Sequence, residues 1–166
     1  LFPGIGYGGS CFPKDVKALI KSGKQEGFDF QILEATEEVN QSQKIILIAE
    51  IEKYFKGDLK DKKIALWGLA FKANTDDIRE ASSLDNIKLL LEKGAKITAY
   101  DSIAEENVRA VLADDISYAQ DMYSALEGAD CLLIATEWSE FKNPNFELMA
   151  KKMKNNAVMW KFSKPR

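Results

Sequence analysis

The chain of 166 residues is 46% hydrophobic and 30% charged, with 23 basic and 26 acidic residues, a net charge of −3 and no histidine. That size can bury a core of one or two domains, and the interleaved charges lack the basic stripe of a nucleic-acid binder. No apolar run approaches the roughly 18 residues of a membrane span, and without imidazole neither Ser-His-Asp nor Cys-His catalysis is available, nor the commonest zinc ligand.

The chain opens on "LFPGIGYGGSCFPKD", a glycine-rich loop without the charged start or cleavage site of a signal peptide, and is expected to be a portion of a longer protein. Pro13 suits the first turn of a helix, "PKDVKALIKS", that runs to Gly23. Residues 31–55, "QILEATEEVNQSQKIILIAEIEKYF", contain no glycine or proline, and Ile32, Ala35, Val39, Ile46 and Ala49 recur at helical spacing. As one helix they would reach roughly 38 Å, a length suited to joining domains or packing against a second copy; a plain core helix is the alternative.

After the charged "KGDLKDK" the pattern changes. "KIALWGLAF" reads as a strand, "SSLDNIKLLLEKG" as a serine-capped helix, "AKITAYD" as a strand and "AEENVRAVLAD" as a helix. "ISYA" and "DCLLIATEW" read as further strands with the helix "DMYSALEGA" between them, followed by the helix "NFELMAKKM" and a last strand "NAVMWKF". The expected fold is α/β: a helical segment with a long connecting helix over residues 1–58, then an open parallel Rossmann-like sheet covered by helices over residues 59–166. The non-alternating apolar strands fit burial on both faces.

In such sheets ligands lie beyond the carboxyl ends of the strands, which singles out "GLAFKANTDDIRE" after the first strand and Asp101 after the second. The first turn has only Gly68 and lacks the cradle that a pyrophosphate needs, but it offers Lys72, Asn74, Asp76, Asp77, Arg79 and Glu80. Lys72 and Arg79 suit phosphate contact; a solvated loop is the alternative. Asp101 stands where a dinucleotide fold holds ribose, with helix capping as its ordinary role.

Two cysteines lie far apart, Cys131 in an apolar strand and Cys11 among glycines, which fits a reducing compartment rather than a disulfide framework. Cys11 precedes a helix start, where the backbone N–H groups and Lys14 favour a thiolate. Gly4, Gly6, Gly8 and Gly9 allow close approach of a ligand, and Asp15 follows four positions on. A small apolar filler in a tight turn is the bland alternative for Cys11.

"PGIGYGGSCFPKD" resembles the active-site signature of the UDP-glucose/GDP-mannose dehydrogenase family, and "GLAFKANTDDIREASS" resembles the signature that opens its nucleotide-sugar-binding domain. They stand in the family's order, joined by a stretch similar to its dimerising helix. The resemblance implies oxidation of carbon 6 of UDP-glucose to a carboxylate by two hydride transfers to NAD, in a cytoplasmic homodimer. It implies that Cys11 is the nucleophile, through a thiohemiacetal and a thioester, with Asp15 managing protons and the hydrolytic water. It further implies that Lys14 and Arg79 approach NAD, while Leu1, Phe2, Pro3, Gly4, Tyr7, Gly8, Phe71 and Lys72 contact the UDP-sugar. No metal, nucleic acid or membrane is implied.

The family's Asp-Gly-Arg turn after the last strand has no counterpart in "VMWKFSKPR", where neither Lys161 nor Arg166 matches the arginine. The family's NAD-binding domain has none either, so this chain by itself is expected to be inactive. The alternatives are a GDP-mannose or UDP-N-acetylhexosamine dehydrogenase, or a nucleotide-sugar-binding or dimerisation module without turnover. A flavodoxin-like carrier is disfavoured by the first loop.

Overall fold

A computed structural model of the chain describes residues 4–155 and 157–161. A helical segment of α1 (Phe12–Gln25), α2 (Gln31–Lys44) and α3 (Ile46–Tyr54) precedes β1 (Lys63–Trp67), α4 (Ser82–Glu92), β2 (Lys96–Tyr100), α5 (Glu105–Leu112), β3 (Ser117–Tyr118), β4 (Cys131–Ile134), α6 (Phe146–Lys152) and β5 (Val158–Lys161). The five strands form one sheet in the order β3-β2-β1-β4-β5, and every pairing is parallel. The expected α/β architecture is therefore present, with the strand order reversing between β1 and β4.

The apolar strands feed two cores, because successive side chains leave opposite faces of the sheet. Ile64, Leu66, Ile97, Cys131 and Leu133 pack with Ile87 and Leu90 of α4, Val108 of α5, and Ile48 and Ile51 of α3. Ala65, Trp67, Leu132 and Ile134 pack on the other side with Leu126, Trp138, Phe141 and Met149. Trp67 is fully buried, lies stacked on Phe141 with ring centroids 5.2 Å apart, and donates its indole N–H to the Met122 carbonyl at 2.8 Å.

Four local expectations are corrected. The helix expected over 31–55 is interrupted at Ile45, which sits at φ −110 and ψ 7. The Lys44 carbonyl accepts the Asn86 amide at 2.8 Å, while the Ile48 N–H turns to the Ile45 carbonyl at 3.0 Å. α1 does not stop at Gly23: the missing side chain there makes room for the Phe30 ring, 2.5 Å from where a Cβ would lie. The serines that open α4 do not cap it, since Ser82 Oγ donates to the Ile5 carbonyl and Ser83 Oγ to the Leu69 carbonyl. The stretch expected as a helix around residue 125 forms only a 3₁₀ turn, Ser124–Leu126, because the Asp121 carboxylate takes the N–H groups of Tyr123 and Ser124.

The apolar positions of residues 31–55 do not serve as a plain core helix: Ile32, Ala35 and Val39 of α2 and Ile46 and Ala49 of α3 are exposed, Ile32 by 82%. The inward face of α2 carries Glu37, Asn40 and Lys44 instead.

Candidate functional site

The inward face of α2 is polar because it grips a loop of backbone that must be hydrogen-bonded wherever it is buried. Asn40 is buried and meets Tyr7 twice, accepting the Tyr7 N–H at 2.7 Å and donating to the Tyr7 carbonyl at 3.2 Å. The Tyr7 hydroxyl donates to Glu37 at 2.7 Å, and burial with that carboxylate beside it pushes the phenol up to about 12. Gln43 reaches the Gly4 carbonyl at 3.3 Å. Gly6 adopts φ +89, and a Cβ there would lie 2.7 Å from Asn40 Oδ1 and 2.9 Å from Lys44 Cγ, so only glycine fits.

The same loop, which leads into α1, then meets the loop after β1. The Gly9 N–H donates to the Arg79 carbonyl at 2.8 Å. A Cβ on Gly8 would lie 2.3 Å from the Glu80 carbonyl oxygen, and one on Gly9 would lie 2.8 Å from the Phe71 ring. These contacts bring the two signature stretches together. Cys11 is exposed at the N-cap of α1, with Pro13 in the first turn and its Sγ 3.6 Å from Ser10 Oγ. Asp15 lies one helical turn further on, pairing with Lys14 at 3.1 Å in full solvent view.

Arg79 is fixed by Asp77, which accepts from Nε at 2.9 Å and from Nη2 at 2.8 Å. That pairing holds Asp77 below the usual carboxylate range and raises Arg79, on which the charge of Cys11 also acts. Lys72 lies over the Phe71 ring at 5.2 Å. A surface pocket of ≈ 390 Å³ is lined by Gly9, Ser10, Lys14, Lys17, Arg79 and Glu80. Lys14 and Arg79 thus share a cavity with the thiol loop, whereas Gly4 and Tyr7 line a separate cleft of ≈ 740 Å³ with Ile32, Ala35 and Val39. Leu1, Phe2, Pro3 and Arg166 lie outside the described residues.

The turn beyond β1 is tightly packed at Gly68. Gly68 has φ +90 and packs so tightly that a Cβ would lie 2.4 Å from Thr136 Cβ, while Thr136 Oγ1 donates to the Ala70 carbonyl at 2.7 Å. Asp101 is only 3% exposed and accepts the N–H groups of Leu69, Ala70, Ile103, Ala104 and Trp138. It ties the turn after β1 to the turn after β2 rather than capping α5, whose N-cap Ala104 has no side-chain bond.

Three participants escaped the sequence analysis, Glu37, Asn40 and Lys44, and Glu80 stands there only as one group of the loop after β1. Glu80 accepts from Lys17 and from Lys44, both at 2.8 Å, and these bonds bring its carboxyl down to about 2. A usable signal existed in the polar residues at spacings of three and four that oppose the apolar stripe of α2.

The two cysteines should separate cleanly in reactivity. Cys131 is fully buried, and desolvation, aided by the Asp130 charge, pushes its thiol far up. Iodoacetamide at pH 7 should modify Cys11 at least about a hundredfold faster than Cys131 in the folded chain. Mass mapping of the labelled peptides measures this, and equal rates would contradict the assignment.

Known proteins resemble the chain along most of its length. Residues 65–161 match the UDP-binding domain of the UDP-glucose/GDP-mannose dehydrogenase family, and residues 1–42 match its central domain. A UDP-glucose 6-dehydrogenase of Pseudomonas aeruginosa is 43% identical over 164 residues, covering 96% of this chain and 36% of that protein. The Bacillus subtilis UDP-glucose 6-dehydrogenase TuaD is 42% identical over 84% of this chain and 30% of its own length. The chain therefore spans about a third of the length of the curated relatives it matches. Among solved structures, a UDP-glucose dehydrogenase from Pyrobaculum islandicum superposes with a TM-score of 0.85 at 34% identity, over 97% of this chain and 36% of that one. A GDP-mannose dehydrogenase from Pseudomonas aeruginosa superposes at 0.70 with 26% identity, over 86% of this chain and 35% of that one. With two family domains matched in order and a relative this similar along nearly its whole length, the chain belongs to the UDP-glucose/GDP-mannose dehydrogenase family.

Proposed function

We propose that the chain is the thiol-bearing and UDP-sugar-binding part of an NAD-dependent UDP-glucose 6-dehydrogenase working in the reducing cytoplasm, with residues 1–58 as its central segment and 59–166 as its sugar-nucleotide domain. The observation that carries this reading is the hydrogen bond from the Gly9 N–H to the Arg79 carbonyl, which joins the cysteine loop to the loop after β1. UDP-glucose is favoured over GDP-mannose because the similarity to UDP-glucose dehydrogenases is the higher, 34% against 26% among the solved structures.

The residues present fit part of NAD. Lys14 and Arg79 line one pocket and suit its phosphates, while the tightly packed turn at Gly68 leaves no second cradle. When bound, NAD accepts a hydride in each of the two oxidations. The remaining work falls to this chain's own groups. Cys11 attacks the sugar aldehyde carbon as thiolate, and the new C–S bond gives a thiohemiacetal. Loss of hydride from that carbon leaves a thioester. Asp15, one turn along α1, takes a proton from the water that cleaves the C–S bond, releasing the acid and the thiol. Phe71, which packs on Gly9, contacts the UDP-sugar with the adjacent Lys72 and with Gly8, and Gly4 and Tyr7 contact it from their own cleft, with Leu1, Phe2 and Pro3 as further contacts.

The test is turnover. The complete protein carrying this chain should reduce two NAD per UDP-glucose, read as NADH absorbance against released UDP-glucuronate, and the 166-residue chain by itself should reduce none. One NAD per sugar, or no preference for UDP-glucose over GDP-mannose, would refute the proposal.

The exposed stripe Ile32, Ala35, Val39, Ile46 and Ala49 supports a homodimer built on α2 and α3. Sedimentation at micromolar concentration should show two chains, and Val39→Glu should shift them to one.

A further inference from the structure

Lys44 is a costly residue to bury, and its side chain is only 2% exposed. Burial of an ammonium is seldom a source of stability, since an apolar side chain of similar volume often does as well. Its surroundings show another use. Nζ lies 2.8 Å from Glu80 Oε2 and 3.7 Å from Asp85 Oδ2, and Lys17 takes the other Glu80 oxygen at 2.8 Å. The Lys44 stem passes beneath Gly6, whose Cβ would come within 2.9 Å of Cγ.

Glu80 is held in a conformation that a non-glycine residue rarely adopts, at φ +55. Such strain persists only where surrounding contacts enforce it. The consequence falls on the neighbouring backbone. In this conformation the Glu80 carbonyl stands 2.3 Å from the position of a Gly8 Cβ, and the preceding Arg79 carbonyl accepts the Gly9 N–H.

We propose that Lys44 is a positioning residue: through Glu80 it latches the loop after β1 onto the cysteine loop and so sets where Arg79 stands relative to Cys11. The importance of that spacing rests on the proposed dehydrogenase reading, but the latch itself is testable without turnover. Lys44 does not line the pocket that Lys14 and Arg79 share, and its ammonium reaches that pocket through the Glu80 carboxylate.

Amide hydrogen exchange by NMR on the 166-residue chain separates positioning from general stability. In Lys44→Met the Gly9 amide should exchange about tenfold faster while the β1 amides of Ile64 to Trp67 keep their wild-type rates, as expected for local opening. Lys44→Arg should recover at least half of the lost protection on a logarithmic scale. An unchanged Gly9 rate, an equal acceleration throughout β1, or an arginine variant no slower than the methionine one would each overturn the proposal. If Lys44→Met does not fold, Glu80→Gln decides, since its side chain is 38% exposed and the swap preserves shape. Gly9 exchange should again rise alone, and an unmoved or uniformly raised pattern overturns the latch. Failure here leaves the dehydrogenase reading standing, and absence of turnover in the complete protein leaves the latch standing.

Discussion

Cys11→Ser in the complete enzyme should lower release of UDP-glucuronate by about 10³-fold or more. The substitution is nearly isosteric at an exposed position, so folding should be unaffected. What changes is the nucleophile. A serine hydroxyl stays protonated at neutral pH, and none of these 166 residues supplies an imidazole base to it. Asp15 cannot serve in its place, because a carboxylate is far too weak a base to ionise a hydroxyl. The first oxidation, from alcohol to aldehyde, does not require the C–S bond. NADH formation should therefore fall towards one per sugar rather than vanish, with aldehyde trapped on the enzyme or released. Acid released at the wild-type rate by Cys11→Ser would remove the thioester from the mechanism.

Most of the sheet was legible because parallel strands buried on both faces appear as short apolar runs, and "KIALW" and "CLLI" could hardly be anything else. The thiol loop was legible through its glycines, two of which, Gly6 and Gly9, do occupy positive φ. What escaped the sequence has a common physical cause. Hydrophobic periodicity finds the apolar face of a helix and says nothing of what the opposite face holds. In α2 the inward face must satisfy buried backbone polar groups of residues 4–8, so Asn40 and Lys44 point in while Ile32 and Val39 point out. The break at Ile45 was hidden for a related reason, since no local signal marks it. It depends on Asn86, far along the chain, taking the Lys44 carbonyl. Ser82 and Ser83 likewise look like caps locally, yet they are used as tertiary ties to Ile5 and Leu69.

Gly8→Ala should be the most damaging single-methyl change in the cysteine loop. At Gly9 the obstacle to a Cβ is the Phe71 ring, 2.8 Å away, which can rotate. At Gly8 it is the Glu80 carbonyl oxygen at 2.3 Å and its carbon at 2.9 Å, which are backbone and cannot. The methyl must push the two loops apart, against the ion pairs that fix Glu80 from both sides. Overpacking of this kind costs about 2–3 kcal/mol, which for a chain of this size lowers Tm by roughly 5–10 °C. The effect on catalysis should be larger than the effect on stability. A displacement near 1 Å between reacting groups can cost about 10²-fold in rate, and the loops that separate are those carrying Cys11 and Arg79. Gly27→Ala is the matching control: Gly27 also has a positive φ, +74, but nothing lies within 4 Å of the added Cβ. It should lose about 1 kcal/mol to backbone strain and leave kcat/KM unchanged. Thermal melts and NADH assays of the two variants in the complete enzyme would measure both effects. If Gly8→Ala retained wild-type kcat/KM, close apposition of the two loops would not be a requirement of the reaction.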